Sequence, residues 1–192
     1  MILIMGVSKE ENMNQYFFDM DGTLAVYERE AYEPFGNHPW YEKLRGTHYY
    51  RDLPAHLDMV RLVSRHLSRH PERVWILTSV DHIPSMDFYQ HAADKICWIQ
   101  TYLPDLLPDH FLIVRSRKPE GIQTKSLVAE KALGRLLGPG DHLYDDYNPN
   151  LEEWRAAGGR PIKVINGINS VRPDMVCLFL TGETGKKEEL QL

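Results

Sequence analysis

Residues 16–24, with the sequence Tyr-Phe-Phe-Asp-Met-Asp-Gly-Thr-Leu, contain the strongest structural signal in the chain. Their three aromatic residues predict a buried strand, which Gly22 ends. The chain turns where a strand ends, so Asp19 and Asp21 can approach the same point. Two carboxylates at one point repel each other unless a divalent cation neutralises them, and Mg²⁺ prefers oxygen ligands. A solvated acidic turn is the alternative, but an apolar strand directly before the pair favours a site.

The composition predicts one globular domain and argues against several classes of partner. The chain has 192 residues, of which 43% are hydrophobic, which is enough for one well-formed core. Its formal net charge is −5 and no basic block occurs, so a nucleic-acid partner is not expected. The apolar run at residues 1–5 is too short to span a membrane. We expect Cys97 and Cys177 to be buried free thiols of a cytoplasmic protein.

Apolar runs near residues 16, 75, 112, 143 and 163 predict strands, and helical periodicity lies between them. This alternation is typical of an α/β domain with a mostly parallel sheet of five to six strands and helices on both faces. The predicted helices cover residues 52–68 with Asp52 as N-cap, residues 84–102, and residues 125–137 ended by the Gly-Pro-Gly at 138–140. The second helix is expected to bury Phe88, Ala92, Ile96, Trp98, Ile99 and Leu103.

The segments outside this pattern give the domain limits. Residues 15–180 form the predicted domain, after a leader at residues 1–14 within which Met13 is an alternative start. Residues 181–192 are expected to be disordered because they are polar and charged. An insert at about residues 25–51 follows the first strand and is rich in aromatic residues. Phe35, Trp40 and Tyr49 either stack on a flat ligand such as a nucleobase or form a small core of the insert itself.

Polar residues follow three of the predicted strands at the point where each strand ends. They are Asp19 and Asp21, Thr78 and Ser79, and Asp145 and Asp146. The carboxyl ends of parallel strands share one edge of a sheet, where open α/β sheets bind ligands. Carboxylates there require a cation, while hydroxyl and backbone N–H groups are suitable donors for phosphate oxygens.

The Asp-Met-Asp-Gly-Thr-Leu of residues 19–24 resembles motif I (DxDGT) of the haloacid dehalogenase (HAD) superfamily, whose members are mostly Mg²⁺-dependent phosphatases and phosphotransferases. Thr78 resembles motif II, and the pair at 145–146 resembles the Asp-Asp form of motif IV. The motif III lysine is either Lys125 or Lys118, and we favour Lys125 because it lies closer to the fourth strand. The resemblance implies a Rossmann-like HAD fold in which the insert at residues 25–51 is a small cap.

The resemblance also implies roles for these residues in phosphomonoester hydrolysis. Asp19 would be the nucleophile and Asp21 the general acid and base. Thr78 and Lys125 would offset charge on the phosphoryl group, which Gly22, Ser79 or Lys118 would also contact. Mg²⁺ would be held by Asp19, the backbone carbonyl of Asp21 and Asp146, with Asp145 in a supporting position.

The expected partner is a small phosphomonoester, and the 5'(3')-deoxyribonucleotidase-like branch is the most similar. That similarity rests on the small cap, the Asp-Asp pair and the residues Trp154, Gly158-Gly159, Ile162-Lys163 and Asn166-Gly167. A phosphatase of another small metabolite, such as a sugar phosphate, is an alternative. A phosphate- or nucleotide-binding regulatory protein without turnover is another. The sequence makes no prediction of the oligomeric state.

Overall fold

A parallel sheet of six strands forms the centre of the protein in the computed structural model, which describes residues 14–27, 47–81, 86–116 and 123–185. Its strands are β1 (Gln15–Phe18), β3 (Val74–Asp81), β4 (Phe111–Ser116), β5 (Asp141–Asp145), β6 (Arg160–Ile165) and β7 (Val176–Phe179). They lie in the order β4-β3-β1-β5-β6-β7, which places β1 between β3 and β5. Two short strands, β2 (Ala55–His56) and β8 (Thr184–Gly185), pair antiparallel outside this sheet. The predicted α/β class and parallel sheet are confirmed.

Helices cover both faces of the sheet. They are α1 (Tyr49–Asp52), α2 (Leu57–Leu67), α3 (Met86–Tyr102), α4 (Lys125–Leu133) and α5 (Asn148–Ala156). Successive strand residues face opposite sides, so Phe17 and Phe18 belong to different cores. Phe18 packs in the core that contains residues of α2 and α3, whereas Phe17 packs in the core with residues of α4 and α5. Burial on both faces explains why residues 16–18 of β1 are a continuous apolar run.

Two predicted helix boundaries are wrong. The segment predicted as one helix from Asp52 contains β2, and α2 begins only after His56, whose extended backbone forms the N-cap. The helix that starts at Lys125 ends at Leu133 instead of residue 137, because Gly134 adopts φ +66° and its N–H donates to the Glu130 carbonyl. Leu127 and Leu136, both expected in that helix, are exposed.

The buried face of α3 is the predicted one except at Ile96. Trp98 and Ile99 are buried as expected, but Ile96 is exposed. Cys97 lies next to Ile96, away from the core, and is exposed, while Cys177 lies on the edge strand β7 and is half-buried. The prediction that both thiols are buried is therefore wrong.

Residues 181–185 pack against α2, although they fall in the segment for which the sequence predicts disorder. The Thr181 N–H and hydroxyl both donate to Asp58 Oδ2, and Arg61 forms an ion pair with Glu183 at 2.6 Å. No helix in the described part of the chain is long and apolar enough to cross a membrane. Residues 1–13 of the leader, Phe35, Trp40 and Lys118 lie outside the described residues, as does the insert from residue 28 to residue 46.

Candidate active site

Asp19 is the first residue after β1 and is buried at the carboxyl edge of the sheet. Its N–H donates to the Tyr144 carbonyl of β5 at 2.9 Å, which extends the pairing of the two strands by one residue. The chain then turns tightly, because the N–H groups of Leu24 and Ala25 both donate to the Met20 carbonyl at 2.8 Å. These hydrogen bonds fix the backbone positions of Asp19 and Asp21.

Asp145 and Asp146 reach the same point from β5, which is paired with β1. Asp19, Asp145 and Asp146 are all buried, and each offers a carboxylate oxygen within 4.8 Å of the other two. Asp145 is held by three protein donors: the Tyr147 N–H at 2.7 Å, Asn150 Nδ2 at 2.9 Å and Lys125 Nζ at 2.7 Å. Asp146 Oδ2 lies 3.3 Å from Asn166 Nδ2. The acidic pair is therefore built into the sheet edge next to Asp19.

Lys125 is the first residue of α4, and its buried ammonium joins the acidic cluster. Thr124 caps this helix, since its hydroxyl accepts from the Leu127 N–H. Lys125 Nζ donates to Asp19 Oδ1 at 2.6 Å and to Asp145 Oδ2 at 2.7 Å. Burial lowers the pKa of Lys125, but Asp145 and Asp19 outweigh it and raise the pKa above its usual value. Lys125 is thus a fixed cation between two carboxylates.

The cluster still has an excess of negative charge. Burial, followed by repulsion from Asp145 and Asp21, raises the pKa of Asp19 to about 7 despite Lys125. Three buried carboxylates share this space with one ammonium, and oxygen donors of this kind suit a hard divalent cation. The residues present therefore fit Mg²⁺. The side chain of Asp21 is not part of this group of three.

Asp21 instead pairs with a lysine that the sequence interpretation did not single out. Lys95 lies on the buried face of α3 and donates to Asp21 Oδ2, to Thr78 Oγ1 at 2.9 Å and to the Ser79 carbonyl at 2.8 Å. A signal was present, because Lys95 stands three residues after Ala92 and four before Ile99, on the apolar stripe of the helix. A charge on that stripe requires a buried partner.

The loop after β6 supports the acidic cluster from the opposite side. Asn166 Nδ2 donates to the Gly22 carbonyl at 2.8 Å, so this loop contacts the turn after β1. Lys163 Nζ donates to the backbone carbonyl of Asp146, and Asn169 Nδ2 donates to the same oxygen at 3.2 Å. The N–H of Gly22, a predicted phosphate contact, donates to the Ala25 carbonyl at 2.9 Å.

Aromatic residues at the root of the insert lie beside Lys95 and Asp21. The Tyr50 ring centroid is 4.7 Å from Lys95 Nζ, and Tyr49 packs edge-on against Tyr50 at 5.3 Å. Burial raises the pKa of Tyr27 well above its ordinary value, with further contributions from Tyr50 and from the Asp21 carboxylate. Tyr49, one of the predicted cap contacts, is therefore part of an aromatic group next to the acidic turn.

No protein-family model matches the chain, and no curated protein matches it in sequence. Solved structures do match its fold. A HAD-superfamily hydrolase from Ehrlichia chaffeensis is 12% identical with a TM-score of 0.52, over 86% of this chain and 92% of that protein. A haloacid dehalogenase-like hydrolase from Streptococcus pneumoniae is 15% identical with a TM-score of 0.54, over 93% of this chain and 97% of that protein.

A third match is D,D-heptose 1,7-bisphosphate phosphatase from B. bronchiseptica, whose structure contains magnesium and phosphate. It is 11% identical with a TM-score of 0.57, over 93% of this chain and 98% of the phosphatase. The chain thus has the Rossmann-like α/β fold of HAD-superfamily hydrolases. At these identities the likeness defines the fold, and the chemistry has to be argued from the site.

Proposed function

We propose that the protein is a Mg²⁺-dependent phosphomonoester hydrolase that acts through an aspartyl-phosphate. One observation supports this most directly: Asp19 lies buried directly after the central strand β1, where it accepts from the Lys125 ammonium and lies beside the acidic pair of β5. A carboxylate oriented by a cation is a suitable nucleophile toward phosphorus. One protein of similar fold is a phosphatase whose structure contains magnesium, which agrees with this reaction class.

In the first step, an oxygen of Asp19 attacks phosphorus and the bond from phosphorus to the ester oxygen breaks. Asp21, two residues further along the turn, gives its proton to the leaving oxygen. Thr78 lies within β3, next to β1, and Lys125 is the first residue of α4. Their hydroxyl and ammonium offset charge on the transferred phosphoryl group. In the second step, water attacks the aspartyl-phosphate, Asp21 takes the proton of that water, and inorganic phosphate leaves.

Asp19 and Asp146 are the carboxylates proposed to hold Mg²⁺, together with the Asp21 backbone carbonyl. Asp145 is proposed to support them, because its oxygens already accept from Tyr147, Asn150 and Lys125. When bound, the cation supplies positive charge that stabilises the transferred phosphoryl oxygens. Lys163 and Asn169 hold the Asp146 backbone, so they fix the position of this ligand.

We propose a nucleoside monophosphate, with deoxynucleotides preferred, as the substrate. The supporting observation is the group formed by Tyr27, Tyr49 and Tyr50 beside Asp21, since aromatic rings stack on a planar base. The two unpaired cysteines agree with action in the cytoplasm, where thiols stay reduced. A sugar phosphate would use the same acidic cluster without needing these rings.

Phosphate release from a panel of 5'- and 3'-nucleotides and sugar phosphates, with Mg²⁺ and with EDTA, tests the proposal. Mg²⁺-dependent release that favours deoxynucleotides is expected. Release limited to sugar phosphates would refute the proposed nucleotide substrate but would be consistent with the proposed mechanism. If the folded protein releases phosphate from no member of the panel, the proposal that it is an enzyme is refuted. A phosphate-binding protein without turnover is then favoured.

A further inference from the structure

Lys95 is a buried charge to which the proposed reaction gives no role. Only 1% of its side chain is exposed, and it extends from α3 toward the turn after β1. Burying an ammonium is costly unless it is paired and hydrogen-bonded. A methionine or leucine on this stripe would pack without that cost. A lysine here therefore needs an explanation in the groups that it contacts.

The ammonium of Lys95 has three N–H donors, and three acceptors surround it. They are Asp21 Oδ2, Thr78 Oγ1 and the Ser79 carbonyl. With each donor used, no N–H remains for a phosphoryl oxygen, in contrast to the role proposed for Lys125. The Tyr50 ring lies 4.7 Å from the ammonium on another side. Lys95 is thus held in one position, and any effect it has on the reaction passes through its partners.

Lys95 also determines what the two side chains beside it can do. Because Asp21 Oδ2 accepts from Lys95, the carboxylate cannot rotate freely, and its Oδ1 is buried without a hydrogen-bond partner among the described residues. An ammonium only donates, so Thr78 Oγ1 must accept, and the hydroxyl hydrogen of Thr78 is left to donate elsewhere. One cation therefore orients an acid–base group and a phosphate-binding hydroxyl together.

We propose that Lys95 is a positioning residue that holds Asp21 so that Oδ1 faces the leaving-group oxygen. The inference rests on the proposed function, because it needs Asp21 to act as the general acid. It extends that function by adding a residue from α3, a helix that carries none of the residues predicted for the site. It also links Asp21 to Thr78 through one ammonium.

The test compares Lys95→Met with wild type on esters that differ in their need for an acid. Thymidine 5'-phosphate and glycerol 2-phosphate release alkoxides, which need protonation, whereas p-nitrophenyl phosphate releases a stable phenolate. General acid catalysis contributes roughly 10²- to 10⁴-fold, so kcat/KM for the alkyl esters is expected to fall at least about 10-fold. For p-nitrophenyl phosphate, kcat/KM is expected to change less than about 3-fold, since only a small part of that effect applies.

A second readout follows from the role of Asp21 in the second step. With a misdirected base, hydrolysis of the aspartyl-phosphate becomes rate-limiting. Lys95→Met is therefore expected to show a burst of p-nitrophenolate before the steady state, with a lowered kcat. Inhibition by inorganic phosphate is expected to change little, because Lys95 has no donor left for a phosphate oxygen.

Lys163→Met is the matched control, because Lys163 is equally buried but donates to the Asp146 carbonyl. Its loss is expected to be similar for alkyl and aryl esters. The double variant Asp21→Asn with Lys95→Met is expected to be no slower than Asp21→Asn alone, since a residue that acts through Asp21 has nothing left to position.

Equal losses on alkyl and aryl esters, or additive losses in the double variant, would overturn the inference. So would unfolding of both Lys95→Met and Lys95→Gln, judged by circular dichroism, since the role would then be structural. A wild-type protein that releases phosphate from none of these esters would instead refute the proposed function itself.

Discussion

Lys125 Nζ lies 2.6 Å from Asp19 Oδ1, and both side chains are buried. The two residues are 106 positions apart in the chain. The contact requires β1 and the start of α4 to meet at one edge of the sheet. It holds one oxygen of the proposed nucleophile in place, and much of the chemistry of the site depends on it.

Asp19→Asn is expected to reduce phosphate release at least roughly 10³-fold, because an amide cannot form the aspartyl-phosphate. The thermal midpoint is expected to stay unchanged or rise, since a neutral amide is cheaper to bury than a carboxylate whose pKa is already raised. Phosphate release and thermal melting measure the two effects. Full activity in the variant would remove Asp19 as the nucleophile.

Lys125→Met is expected to destabilise the protein by about 3–5 kcal/mol, because it leaves Asp19 and Asp145 buried without their cation. Activity is expected to be lost as well. Denaturation in the presence of EDTA measures the stability, so that no metal compensates. Lys131 is exposed on the same helix, so Lys131→Met serves as the control. A larger loss of activity in Lys118→Ala than in Lys125→Met would show that Lys118 is the motif III lysine.

His56 is expected to make the protein less stable in acid. Burial lowers its pKa to about 4 in the folded state, whereas the unfolded residue titrates near 6.5. Between these values the unfolded state binds more protons, so the free energy of unfolding falls as the pH is lowered from about 6.5 to 4. The contribution of His56 amounts to about 3 kcal/mol at most.

His56→Phe is expected to remove this contribution. Chemical denaturation at several pH values measures it as the difference between variant and wild type, which cancels the opposite contribution of Asp19, whose pKa is raised. His70→Phe, at an exposed position, is the control. Parallel pH profiles for wild type and His56→Phe would contradict the prediction.

Gly159→Ala is expected to destabilise the fold by about 1–3 kcal/mol through overpacking. A Cβ at this position would lie 2.2 Å from Trp154 Nε1, which donates to the Asp141 carbonyl at 3.0 Å. The indole would have to move and weaken that hydrogen bond. Urea denaturation measures the change. Gly138→Ala is the control, because its nearest contact would be 4.0 Å away, and an equal cost in both variants would count against the clash.

The sequence predicted the sheet well because its strands are apolar runs that polar residues end. β1 is of this kind, since Asp19 follows it, whereas β3 does not end at Thr78 and Ser79 as predicted but continues to Asp81. Helix ends were harder to place. Gly134 and Gly138 are both suitable stops, and only the backbone conformation at Gly134 distinguishes them.

The acidic part of the site was predictable, because Asp19 and Asp21 follow β1, and Asp145 and Asp146 lie at the carboxyl end of β5. Lys95 was not found, although it lies on the predicted stripe between Ala92 and Ile99, since a lysine in a helix is usually solvated. Its contact with Asp21 joins residues 74 positions apart, and local periodicity carries no information on such a pair. Long-range pairing of charges is what the structure adds.

The pairing of β8 with β2 determines when, during synthesis, the turn after β1 can be completed. The turn after β1 is held by β2, since the His56 N–H donates to the Leu24 carbonyl at 2.8 Å. β2 in turn pairs with Thr184 and Gly185, and Arg61 meets Glu183 across 122 positions of sequence. During synthesis, the ribosome therefore completes all six strands of the sheet before it supplies the segment that braces the turn carrying Asp19 and Asp21.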